Sequence, residues 1–90
     1  MADKTQYINL VNDIIAKQKV ILGPDIVLVK AKNVKELSFD ANGNIDSIDG
    51  DPQVVLQKLI DEYIGLSGQI VKNVLSPVLD KYPDIKVKIQ

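Results

Sequence analysis

The stretch from Asp40 to Pro52, Asp-Ala-Asn-Gly-Asn-Ile-Asp-Ser-Ile-Asp-Gly-Asp-Pro, divides the chain into two apolar halves and fixes what lies on either side of it. Asn42-Gly43 is a strong short-range signal for a hairpin, because both residues tolerate the left-handed conformations that tight turns need. The alternating Glu36-Leu37-Ser38-Phe39-Asp40 before it and Asn44-Ile45-Asp46-Ser47-Ile48 after it supply two short strands, so a β-hairpin is predicted over 36–48. Asp49-Gly50 turns the chain once more. Asp51-Pro52 then starts a helix, with Asp as the cap and Pro at the first helical position.

Helical periodicity dominates the remainder. Tyr7, Leu10, Val11, Ile14, Ile15, Ile21 and Leu22 recur at the spacing of one helix face, which predicts a helix over 5–22 ended by Gly23. Residues 24–34 can be read two ways. Pro24 and Asp25 make a good helix start, whereas Ile26-Val27-Leu28-Val29 has the branching of a strand. A loose echo between the segments around Gly23 and Gly68 favours the helix. After Pro52 the stripe Val55, Leu56, Leu59, Ile60, Tyr63 and Ile64 is the best patterned in the chain. It resumes beyond Gly65-Leu66-Ser67-Gly68 as Ile70, Val71, Val74, Leu75, Val78, Leu79 and Tyr82, interrupted by Pro77. Ile85-Lys86-Val87-Lys88-Ile89 alternates as a half-buried strand would. The expected fold is α+β, one domain over 1–90, with about four helices, the 36–48 hairpin, and a C-terminal strand over 85–89 completing a small sheet.

Composition removes most chemistries. The chain has no Cys, no His and no Arg, so thiolate nucleophiles, zinc–sulfur sites, the usual neutral-pH general base and bidentate guanidinium forks are all missing. Carboxylates, Lys, Tyr and Ser remain, and no phosphate-loop, dinucleotide or nucleophile-elbow pattern organises them. The chain is therefore expected to be no enzyme and to hold no cofactor or metal. No apolar run is long enough to span a membrane, and the start of the sequence does not read as a signal peptide, so a cytoplasmic location is expected. Charge is segregated. Residues 17–35 carry five Lys against Asp25, whereas 36–51 carry Glu36, Asp40, Asp46, Asp49 and Asp51 and no Lys.

Three places invite a functional reading. Asp40, Asn42 and Asn44 hold the first, third and fifth positions of an EF-hand calcium loop. The sixth position, where that loop needs Gly, is Ile45, and the twelfth, where it needs Glu, is Asp51, so a plain hairpin is the stronger reading. Tyr63 beside Glu62 is better placed as a core tyrosine than as an acid–base pair. Gly65-Leu66-Ser67-Gly68 between two helices, followed by a strand ending Lys86-Val87-Lys88-Ile89, resembles the GXXG loop of KH domains. That resemblance implies a clamp for single-stranded nucleic acid built on Gly65, Gly68 and Lys72, and it requires residues 25–33 to be a strand. The loop lacks the basic residue common in that family. A sequence pI of about 5.2 and the lack of Arg also oppose phosphate binding.

A non-catalytic protein–protein interaction module is the leading expectation, either self-associating as a homo-oligomer or part of a larger complex. The surplus of apolar stripe over what one small core can cover motivates it. The KH-like nucleic-acid binder is the alternative.

Overall fold

The computed structural model describes residues 3–87, and they form an α+β fold in the order α1 (Lys4–Leu22), α2 (Pro24–Lys32), β1 (Leu37–Phe39), β2 (Ile45–Ile48) and α3 (Pro52–Leu79). Both long helices begin on an aspartate. Asp3 accepts from the Gln6 N–H at 2.9 Å and Asp51 from the Gln53 N–H at 3.0 Å, and each bond satisfies one of the donors a helix start leaves unpaired. The apolar face of α1 then buries Tyr7, Leu10, Val11, Ile14 and Ile15. Against it pack Val27 and Ala31 of α2, Ile45 and Ile48 of β2, and Leu56, Leu59, Ile60, Tyr63, Leu75 and Val78 of α3. Each such aliphatic side chain contributes about 1.5–3 kcal/mol of transfer free energy, so this one cluster is the main source of stability.

Residues 24–32 are helical, in agreement with the helix reading of that segment. Only Gly23 separates α1 from α2, and its φ of 98° is a conformation that side chains with a Cβ avoid. The hairpin pairs Leu37 with Ile48, Ser38 with Ser47 and Phe39 with Ile45, with an irregularity after Ser38. Its turn differs from a two-residue Asn42-Gly43 connection. The Gly43 N–H bonds the Asp40 carbonyl at 3.2 Å, the Asp40 N–H bonds the Asn44 carbonyl at 2.8 Å, and only Gly43 has a positive φ, of 84°. This is a three-residue loop closed by a left-handed glycine.

The two helices expected on either side of Gly65–Gly68 are assigned as one run, α3, of 28 residues. A straight helix of that length would reach about 40 Å. Its two ends nevertheless meet the same half of α1. The Tyr7 hydroxyl bonds Gln53 at 2.8 Å, and the Tyr82 hydroxyl, just past the end of α3, bonds Asp13 at 2.8 Å. Tyr7 and Asp13 are only about 9 Å apart along α1 at the helical rise. Gln53 also donates to the Lys86 carbonyl, and two tight turns compact the chain between Leu79 and Ile85. The run must therefore bend. Pro77 lies too near its end to turn more than Val78 and Leu79, so the bend falls earlier in the run. Both apolar stripes expected around Gly65 and Gly68 are helical, and they belong to one bent run.

The strand expected over 85–89 is corrected in part. The sheet is two-stranded among the described residues, and residues 85–87 have no strand pairing. Ile85 is buried in the core and Lys86 is held by Gln53, so the segment lies against the start of α3 without joining the sheet. Lys88 and Ile89 lie outside the described residues.

Candidate functional site

Five large apolar side chains are exposed among the described residues, and four of them fall within ten positions: Val20 at 84%, Ile21 at 49%, Ile26 at 39% and Val29 at 58%. They flank the Gly23 corner. The cause is local. In the last turn of α1 Leu22 still packs against the core, whereas Ile21, which continues the sequence stripe, stays half exposed. On α2 Val27 and Ala31 are the buried residues, and Ile26 and Val29, one and two positions from Val27, fall on other sides of the helix. Helical spacing sets lysines at the margins of these residues: Lys17 is three and four positions before Val20 and Ile21, Lys30 is four after Ile26, and Lys32 three after Val29. No hydrogen bond or ion pair within the chain engages the side chain of Lys17, Lys30 or Lys32 among the described residues.

The acidic stretch lies on the hairpin and its exit. Asp40 and Asp51 are occupied in the fold. The Asp40 carboxylate accepts from the backbone N–H groups of Asn42 at 2.9 Å and Asn44 at 3.1 Å, and Asp51 caps α3. Asp40 is thus committed to closing the turn, and Asn42 and Asn44 serve it through their backbone. Among the described residues no group of three or more acidic side chains is arranged to hold a metal ion. Glu36 pairs with Lys58, whose ammonium holds the Glu36 carboxyl below its ordinary value. Asp46 and Asp49 remain, both exposed and without a partner among the described residues.

A polar cleft of about 580 Å³ opens between the α2–β1 turn and α3, lined by Asn33, Lys35, Glu36, Lys58, Asp61 and Glu62. Most of its polar groups already have partners within the chain. Asn33 donates to Glu62 at 2.8 Å, Gln57 donates to Asp61 at 3.1 Å, and Lys58 pairs with Glu36. A second groove, beside Gln53, Val54, Gln57, Lys86 and Val87, holds the fifth exposed apolar residue, Val54.

The residues of the GXXG resemblance are not brought together in a loop. Gly65, Gly68 and Lys72 all lie within α3, and the strand that the resemblance requires over 25–33 is the helix α2. Helix persists here because neither glycine has a positive φ, so nothing in the backbone opens a loop. Tyr63 is buried in the core, and its hydroxyl bonds the Val27 carbonyl of α2 at 3.2 Å. Burial raises its pKa well above the ordinary value.

Two polar side chains of α1, one at the edge of the core and one inside it, were not singled out by the sequence. Asn12 pairs with Ile45 in both directions, its Nδ2 donating to the Ile45 carbonyl at 3.1 Å and its Oδ1 accepting from the Ile45 N–H at 2.8 Å. The carboxamide thereby acts as a neighbouring strand for β2. Gln18 is fully buried and neither its Oε1 nor its Nε2 has a hydrogen-bond partner. Its position was legible, since it lies four residues after Ile14 on the core face. Among the described residues no helix is long and apolar enough to cross a membrane. No protein-family model, curated protein or solved structure matches the chain.

Proposed function

We propose that the chain is a non-catalytic protein–protein interaction module that self-associates through the 20–29 corner. The clustering of Val20, Ile21, Ile26 and Val29 carries this reading, because four exposed aliphatic residues in one short stretch forgo burial that would otherwise stabilise the fold. The lysines beside them form the polar rim that interfaces ordinarily have. The polar cleft is a weaker candidate, since its Glu36–Lys58 ion pair and its Asn33–Glu62 hydrogen bond already engage four of its polar side chains.

Sedimentation velocity over a wide concentration range tests the reading. The expected result is a mass that rises with concentration for the native chain and stays at one chain for the Val20→Asp, Val29→Asp double variant. Both positions are exposed, so the variant is expected to keep its fold by circular dichroism. A double variant that associates like the native chain would sink the proposal.

A further inference from the structure

We propose that what seats on the 20–29 corner is the acidic hairpin exit of a second copy, which makes the contact head-to-tail. The inference rests on the reading of that corner as a self-association surface and adds the identity of the opposing face. Its argument is charge. The corner lies within the 17–35 stretch, with five Lys against Asp25, so two corners packed face to face across a two-fold axis would oppose like charges. The 36–51 stretch has five acids and no Lys. Of these acids Glu36, Asp40 and Asp51 are engaged within the chain, whereas exposed Asp46 and Asp49 are not. Lys17, Lys30 and Lys32 are likewise unpaired among the described residues. Each chain therefore presents unspent charge of one sign beside its apolar ridge and of the opposite sign on β2 and its exit. A head-to-tail contact leaves one face of each sort open at the ends, so the assembly closes as a ring or keeps growing.

Complementary charge reversal tests this. Lys17→Glu with Lys32→Glu disables the basic face and leaves the acidic one. Asp46→Lys with Asp49→Lys does the reverse. The four positions are exposed and unpaired, so both variants are expected to retain the native helix content; if a double variant fails to fold, Lys32→Glu and Asp46→Lys alone carry the comparison. By light scattering each variant alone is expected to be a monomer where the native chain associates. An equal mixture is expected to associate again and to keep growing, because the acids on the first variant's corner meet the lysines on the second variant's hairpin exit while the two unaltered faces still match. Variants that each associate like the native chain, or a mixture that stays monomeric, overturn the head-to-tail contact. If Val20→Asp with Val29→Asp still abolishes association in either case, the corner stands as the interface and only the assigned partner face is lost. A native chain that stays monomeric at the highest concentration removes both.

Discussion

At the scale of single residues, two carboxamides on α1 take opposite courses. Asn12 finds both halves of its hydrogen bonding in the Ile45 backbone, whereas Gln18, six residues on, finds neither. Removing the first is expected to hurt. Asn12→Ala leaves a part-buried N–H and a carbonyl without partners and should lower stability by about 2 kcal/mol in urea unfolding. Removing the second is expected to help. Gln18→Leu replaces a buried, unpartnered amide with an apolar group of similar size and should raise stability by about 1–3 kcal/mol. Equal effects of the two substitutions would mean that the hydrogen bonding described for these amides is wrong. Neither role follows from spacing alone. Periodicity places Asn12 on the polar flank and Gln18 on the core face, but the partner of each is set by an element more than twenty residues away in sequence or by none.

Among elements, what was legible follows from short-range chemistry. Asp51-Pro52 starts α3 where the residues say it should, and Gly23 ends α1, because a cap and a helix stop act within one turn. The hairpin lies where Asn42-Gly43 puts it, although Asp40, through its side chain, decides the turn type. The misread elements depend on distant parts of the chain. Alternation in Ile85-Lys86-Val87 suggested a strand, yet the Gln53 amide and the core claim that segment first. The exposed corner was half legible. Ile21, Ile26 and Val29 all stood in apolar patterns, but a pattern does not show where the core runs out. The glycines separate on the same grounds. Gly43→Ala forces a left-handed residue and should cost about 1–2 kcal/mol. Gly65→Ala meets no atom within 4 Å at an ordinary φ and should gain about 0.5–1 kcal/mol in the helix. Thermal melts of the two variants should shift in opposite directions.

Across the whole molecule, all three tyrosines tie separate parts together: Tyr7 joins α1 to α3, Tyr63 joins α3 to α2, and Tyr82 joins the chain after α3 back to α1. Each hydroxyl is raised above its ordinary value of 10.0, Tyr82 to about 12 through burial and its bond to Asp13. The unfolded chain gives up these protons near pH 10 while the folded chain keeps them. The unfolded state therefore binds fewer protons in that window, and stability falls as pH rises from 10 toward 12. Melting temperatures measured stepwise through this range should fall steadily, and Tyr82→Phe should flatten the slope. A melting temperature independent of pH there would contradict the tyrosine environments described. The bend in α3 has a consequence for the order in which the fold can form. Leu75, Val78 and Ile85 complete a core whose other wall is Tyr7 to Ile15, so α1 waits for residues far along the sequence before it is covered. Contacts of such long sequence separation slow folding relative to a simple helical bundle. Synthesis stalled after Ile64 should leave a nascent chain that proteases cut within α1, and release of another twenty-odd residues should protect it in a single step.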